Sequence, residues 1–220
     1  GREPLQYIRG RQEFWSLDFE VGPGVLIPRP ETELLVEQAL ALHSDDALPG
    51  EGRPWILDLG TGSGVLAVCT ALEIETALVW ASDLSGAALS RARRNAERHG
   101  LEDRIAWVQG DLFTPFRPSG RFDLIVANPP YVAEEELEGL QPEVRDHEPL
   151  EALNGGPGGM EVVLRILEEA PRYLSPEGGL LVELDPRQAG PALEKAEATG
   201  AYDRGEAVRD HARRDRRSVG

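Results

Sequence analysis

Trp55-Ile56-Leu57-Asp58-Leu59-Gly60-Thr61-Gly62-Ser63-Gly64 is the stretch on which the fold turns. Its first five residues are apolar but for one aspartate and read as a buried strand. Three glycines then alternate with Thr61 and Ser63, and apolar residues three and four apart from Val65 to Leu72 read as a helix. A strand that passes through a glycine turn into a helix is the opening unit of a parallel α/β sheet. Glycines in that turn let the backbone come close to a ligand, because no Cβ intervenes.

The same alternation continues downstream. Leu78 to Asp83 is a second strand, and Ser85 to Arg98 a helix with Leu89, Ala92 and Ala96 inward and Gly100 just past its end. Ile105 to Val108 and Phe122 to Ala127 are further strands. A long helix from Met160 to Leu174 precedes a fifth strand, Gly179 to Leu184. After Gln188 come a helix to Thr199 and weak strands at Ala207-Val208 and Ser218-Val219. The whole predicts an α/β, Rossmann-like fold with a mostly parallel, doubly wound sheet. Upstream, Phe14, Trp15, Leu17, Phe19 and Val21 stand in near alternation, followed by the turn-rich Val21-Gly22-Pro23-Gly24 and then Val25-Leu26-Ile27. That pattern predicts a small β-hairpin ahead of the main domain. Thr32 can cap a helix through Leu34, Leu35, Val36 and Ala39, and Asp45 to Pro54 reads as a loop. Residues 1–30 are therefore assigned to a hairpin and linker, and residues 31–220 to the principal domain.

Composition narrows the function classes. The 220 residues suffice for one substantial α/β core. The formal net charge is −16, with 39 acidic against 23 basic residues. A protein that grips duplex nucleic acid by neutralising phosphates carries a basic face. Here the one dense basic patch, Arg209, Arg213, Arg214, Arg216 and Arg217, is interrupted by Asp210 and Asp215 and reads as a solvated edge. The apolar runs are too short and interrupted to span a bilayer. A lone cysteine, Cys69, permits no internal disulfide, fits a reducing cytoplasm and reads as core. His43, His99, His147 and His211 show no metal-ligand spacing, so no metal is expected.

Each strand end carries chemistry. Asp83 closes the second strand about 20 residues beyond the glycine turn, where a carboxylate can accept both hydroxyls of a ribose. Asp111, in Gln109-Gly110-Asp111-Leu112, follows the third, where a carboxylate can accept from an adenine amino group. Leu84 and Leu112 are placed to flank the base. A dinucleotide fingerprint wants G-x-G-x-x-G, but Val65 stands where the third glycine belongs. The G-x-G-x-G spacing suits a nucleoside with a short amino-acid tail and no pyrophosphate, namely S-adenosylmethionine. A nicotinamide-dependent oxidoreductase and a non-catalytic adenosyl-binding module are the rival classes.

Asn128-Pro129-Pro130-Tyr131 crowns the fourth strand. An asparagine offers one carbonyl acceptor and one amide donor. The prolines hold the turn extended and contribute carbonyls without N–H groups. Such a turn can take one hydrogen of a planar –NH2 on the Asn128 carbonyl and the other on a main-chain carbonyl, with Tyr131 covering the face. This is a holder for an amide or amino nitrogen about to be alkylated.

Three motifs, Leu26-Ile27-Pro28-Arg29-Pro30-Glu31-Thr32-Glu33, Asp58 to Gly64 and Asn128 to Tyr131, together resemble the HemK-type protein-glutamine methyltransferases. Weaker matches lie at Glu148-Pro149, Ala152-Leu153, Gly155-Gly156, Arg209-Asp210 and Asp215-Arg216. The resemblance implies methyl transfer from S-adenosylmethionine to the glutamine side chain of the Gly-Gly-Gln motif in peptide-chain release factors, and makes residues 31–220 the catalytic domain. A ribosomal-protein glutamine or an exocyclic base amine is the alternative acceptor. The resemblance carries cofactor binding onto Gly60, Thr61, Gly62, Ser63, Gly64, Asp83, Asp111, Leu112 and Asn128, with Arg29 and Thr32 near the methionine end. It carries substrate binding onto Asn128, Pro129, Pro130 and Tyr131, with Asn128, Pro129 and Tyr131 catalytic. Members begin with a separate helical domain; this chain starts at Gly1-Arg2-Glu3-Pro4-Leu5-Gln6-Tyr7, where that domain and its linker are expected to end. Leu184-Asp185-Pro186-Arg187-Gln188 replaces a commoner glycine-containing turn.

Overall fold

Alternate residues of each central strand leave for opposite faces of the sheet, and each face meets its own layer of helices. A computed structural model describes residues 2–44, 48, 53–209 and 217–219. In chain order it holds α1 (Leu5–Arg9), β1 (Arg11–Phe14), β2 (Leu17–Glu20), α2 (Glu33–Ser44), β3 (Trp55–Leu59), α3 (Val65–Glu73), β4 (Leu78–Asp83) and α4 (Gly86–Arg98). There follow β5 (Ile105–Gln109), β6 (Phe122–Ala127), α5 (Pro142–Arg145), α6 (Glu161–Glu169), β7 (Leu174–Leu184), α7 (Ala189–Thr199), β8 (Ala207–Arg209) and β9 (Arg217–Val219). The main sheet runs β5-β4-β3-β6-β7-β9-β8. Its first five strands pair in parallel, and β9 and β8 add an antiparallel edge.

On one face, Ile56, Val79, Ala81, Leu124 and Val126 pack with Leu35, Val36 and Ala39 of α2 and Val65 to Ala71 of α3. On the other, Leu57, Leu59, Ile125, Ala127 and Val182 meet Val163, Ile166 and Leu167 of α6 and Ala192 of α7. Cys69 lies wholly within the first of these cores, and burial pushes its thiol well above the ordinary range. The doubly wound architecture read from the alternating periods is thus the one observed.

The hairpin exists, but its turn is elsewhere than expected. Arg11 pairs with Glu20 and Phe14 with Leu17, so the chain reverses at Trp15-Ser16 rather than at Val21 to Gly24. Both turn residues have positive φ, 54° and 56°, as a two-residue hairpin loop of the right twist requires. Neither is a glycine or asparagine. Trp15 is held by two carboxylates instead: its main-chain N–H donates to Glu33 and its indole N–H to Glu73, each at 2.7 Å. Val25 and Ile27 form no strand; they join Tyr7, Val21 and Ala88 in a small separate core.

Two further expectations are corrected. The helix beginning near Met160 ends at Glu169 rather than Leu174, because Pro171 cannot continue it; a 3₁₀ turn over Ala170–Arg172 leads into β7. Thr32 does not stand outside α2 as a cap: it closes a 3₁₀ turn, Pro30–Thr32, that runs straight into the helix. Helix α1 was not foreseen. Asp210, His211, Arg213, Arg214, Asp215 and Arg216 lie outside the described residues, as does most of the Asp45 to Pro54 loop.

Ser16 is exposed and sits at φ 56°, a conformation that costs an L-residue roughly 1–2 kcal/mol. Against the greater chain entropy of glycine, Ser16→Gly is expected to raise the unfolding free energy by up to about 1 kcal/mol. Urea denaturation at constant slope measures it.

Candidate active site

Strand order reverses between β3 and β6, so the helices following the two strands leave on opposite faces and a crevice opens above their carboxyl ends. The glycine loop leaves β3 on one side of that crevice, and Asn128 leaves β6 on the other. The loop is tied down by main-chain bonds: Gly60 N–H and Thr61 N–H both donate to the Ser82 carbonyl at 2.9 Å, and Gly64 N–H to Thr61 at 2.8 Å. Its three glycines all have positive φ, at 71°, 56° and 86°. Gly64 is also needed for packing, since a Cβ there would lie 2.9 Å from the Ala92 Cβ of α4. Gly62 differs: a Cβ there would meet nothing nearer than the Gly60 carbonyl at 4.0 Å, so its open side faces free space.

Two carboxylates organise the loop. Asp58 is fully buried; one oxygen accepts from the Thr61 hydroxyl at 2.6 Å and from Ala67 N–H at 3.1 Å, while the other has no hydrogen-bond partner among the described residues. Burial pushes its pKa up to about 7, against those two hydrogen bonds, and the charge on Asp83 adds to the rise. Asp83, at the end of β4, accepts from Gly62 N–H and from Ser85 N–H, each at 2.8 Å. Burial raises its pKa too, opposed by the same two bonds. Each oxygen keeps a second lone pair for an incoming hydroxyl. Leu84 beside it is 61% exposed, an apolar surface at the crevice that no neighbour covers. Asp111 follows β5 as expected, but its carboxylate is engaged by Arg165 of α6 at 2.7 Å. Leu112 is held at a positive φ of 45°.

Across the crevice, the Asn128 side-chain amide donates to the Thr32 hydroxyl at 3.0 Å. That bond leaves the Asn128 carbonyl as the acceptor the turn can offer. Thr32 is buried at the end of the Pro28 to Thr32 segment, and Glu148 fixes the start of that segment. Buried Glu148 accepts from Ile27 N–H at 3.1 Å and from the Arg29 guanidinium at 2.5 Å. Behind the Asn128 turn lies a second glycine loop. A Cβ at Gly155 would sit 2.7 Å from the Pro130 carbonyl oxygen, and one at Gly159 would collide with the Tyr131 carbonyl. Gln188 donates to that Tyr131 carbonyl at 2.8 Å, and the Tyr131 hydroxyl donates to Glu183 at 3.1 Å.

The structure therefore gathers Gly60 to Gly64, Asp83, Asn128 and Thr32 around one crevice and sets Asp111 and Leu112 at the next strand end. Arg29 is linked to Asn128 through Thr32, whose N–H donates to the Arg29 carbonyl at 3.1 Å. Three supports escaped the sequence reading. Gln188 gave no signal, and Glu148 appeared only within a resemblance. Asn95, fully buried on α4, accepts from Glu20 N–H at 2.7 Å and donates to the Glu20 and Ser63 carbonyls at 3.1 and 2.8 Å, tying hairpin to glycine loop. A polar residue on an otherwise small-residue helix face was the available hint.

This fold and crevice define a Rossmann-like, S-adenosylmethionine-dependent methyltransferase. Residues 33–141 match the family model of the methyltransferase small domain. The release factor glutamine methyltransferase of Geobacter sulfurreducens is 48% identical over 202 residues, covering 92% of this chain and 68% of that protein. The enzyme of the same name from Thermosynechococcus vestitus is 43% identical over 216 residues, covering 98% of this chain and 73% of its own. The chain belongs to the release factor glutamine methyltransferase family. A solved methyltransferase from Pyrococcus furiosus shares the fold, with a TM-score of 0.64 at 22% identity, over 93% of this chain and 88% of that one. The nicotinamide-dependent alternative is thereby set aside.

Asp58 supplies a test of the loop. Its folded pKa, about 7, lies above the ordinary 3.8, so its contribution favours the folded chain most at low pH and is lost as pH rises through about 7. Asp58→Asn is expected to flatten the fall in Tm across that interval. Parallel Tm profiles for parent and variant would contradict the assignment.

Proposed function

We infer that this chain transfers the methyl group of S-adenosylmethionine to the side-chain amide nitrogen of the glutamine in the Gly-Gly-Gln motif of peptide-chain release factors. The observation that carries the reading is the Asn128 amide turned onto Thr32, which presents a carbonyl to the crevice opposite the glycine loop. When bound, the cofactor supplies an electrophilic methyl on a sulfonium. The residues present fit it: Gly62 leaves room where a side chain would intrude, Asp83 has acceptor capacity for ribose hydroxyls, and Leu84 and Leu112 offer apolar surface to a base. Gly60, Thr61, Ser63 and Gly64 form the rest of the cradle. Arg29, Thr32 and Asn128 bound its far end, and Asp111 adds an acceptor beyond the base.

An amide nitrogen is a poor nucleophile because its lone pair is delocalised into the carbonyl. The Asn128 carbonyl takes one substrate N–H. A main-chain carbonyl of the same turn, assigned to Pro129 in this reading, takes the other. Two fixed acceptors favour positive charge developing on nitrogen, and because they are already oriented they do so without reorganising. Tyr131 covers the amide plane, its ring steadied by the hydroxyl bond to Glu183.

Residues 31–220 carry this activity, and residues 1–30 brace it. A cytoplasmic location is part of this reading, with the lone cysteine in keeping with a reducing compartment, and the acidic balance argues against duplex nucleic acid as a partner. Among the described residues no helix is long and apolar enough to cross a membrane.

Incubation with labelled cofactor and a release factor, followed by mapping of the methylated residue, tests the substrate; label on any residue other than the Gly-Gly-Gln glutamine refutes it. Asn128→Ala is expected to lower methyl transfer by roughly 10²–10³-fold with near-normal affinity for S-adenosylhomocysteine. Gly62→Val and Asp83→Ala should do the reverse, weakening that affinity in calorimetric titration while the fold persists. A folded Asn128→Ala protein working at the parent rate would remove Asn128 from the mechanism.

A further inference from the structure

Glu148 is a buried carboxylate joining two parts of the crevice that are far apart in sequence, 119 residues separating it from Arg29. Its two oxygens divide the work: one accepts from Ile27 N–H, the other from the Arg29 guanidinium. Together they fix main chain and side chain of the same short segment. Two prolines, Pro28 and Pro30, stiffen that segment, so whatever is fixed at Ile27 and Arg29 is transmitted to Thr32. Tyr7 secures the chain just ahead of that segment by donating to the Val25 carbonyl at 2.5 Å. The charge on Glu148 also reaches that phenol, whose pKa is raised chiefly by burial and next by Glu148. Thr32 in turn receives the Asn128 amide. Glu148 itself leaves the short helix α5 through Asp146 and His147, on the stretch that follows the Asn128 turn.

We propose that Glu148 is a positioning residue for methyl transfer: by holding Ile27 and Arg29 it sets the Thr32 hydroxyl, and through that hydroxyl the direction of the Asn128 carbonyl. The proposal rests on the reading that Asn128 orients the substrate amide. It makes the proline-rich segment an internal jig rather than a ligand arm alone. Glu148 touches neither substrate nor cofactor in this role, so its loss misdirects an acceptor without deleting one. Misplacement of that kind costs turnover more than binding.

The 220-residue chain is compared with its Glu148→Ala and Glu148→Gln variants in two ways. Kinetics on a Gly-Gly-Gln release factor should show kcat lowered about 10²-fold in Glu148→Ala with KM nearly unchanged, and partial recovery in Glu148→Gln, which keeps an acceptor for Ile27. Nitrogen-15 spectra give a readout independent of the substrate. The Asn128 side-chain NH2 pair, assigned by its disappearance in Asn128→Ala, should shift and exchange faster with water in Glu148→Ala, and to a lesser degree in Glu148→Gln. A folded variant in which that pair is unmoved overturns the proposal, whatever its activity. So does a kcat at saturation equal to the parent's with cofactor affinity alone reduced. Should Glu148→Ala not fold, Glu148→Gln decides on the same two criteria. If the parent leaves the Gly-Gly-Gln glutamine unmethylated, the substrate reading fails, while the Asn128 spectra still judge Glu148.

Discussion

A parallel sheet whose strand order reverses cannot cover its own reversal. Beyond β3 and β6 the connecting segments diverge, and a gap opens at their carboxyl ends where two strand termini face the same open space. The glycine loop and the Asn128 turn occupy those termini. Nothing in the sheet itself fixes the distance or angle between them, because loops after adjacent parallel strands share no hydrogen-bond ladder. Their relation has to be set from outside the sheet.

The N-terminal segment supplies that control by two routes. Through Asn95, the hairpin end at Glu20 is bonded to the Ser63 carbonyl, in the middle of the glycine loop. Through Thr32, the segment beyond the hairpin is bonded to Asn128. The first route runs through a fully buried amide with three hydrogen bonds, the arrangement in which a polar group specifies one geometry, and the second through the single bond from the half-buried Asn128 amide to Thr32. The hairpin is itself anchored by Phe14 and Phe19, edge to face at 6.1 Å within the main core. A segment that looks like an appendage in the sequence is thus part of the frame on which the two halves of the crevice are aligned.

What could be read from the sequence was what depends on local spacing. The strands from Trp55 to Ala127, the glycine loop and Asp83 are each determined by residues within a few positions of one another, and all were legible. The hairpin turn was not, because Trp15 and Ser16 carry no turn signature; the carboxylates holding Trp15 belong to Glu33 and Glu73, 18 and 58 residues away. The end of the helix at Glu169 was legible in principle, since Pro171 marks it. Asp111 was placed correctly but not its partner Arg165, which lies 54 residues on. The bridging roles of Glu148 and Gln188 were hidden for the same reason: a buried side chain that bridges distant segments has no period.

Cys69 carries a practical consequence. Its thiol is wholly enclosed by the core, and burial suppresses the thiolate that alkylating reagents need. The chain is therefore, toward thiol chemistry, already a cysteine-free protein while folded. A cysteine introduced on the rim of the crevice would take a spin label or fluorophore at that position alone, with the native residue left in place. Distances between rim and hairpin then become measurable in solution without first disturbing the core that sets them.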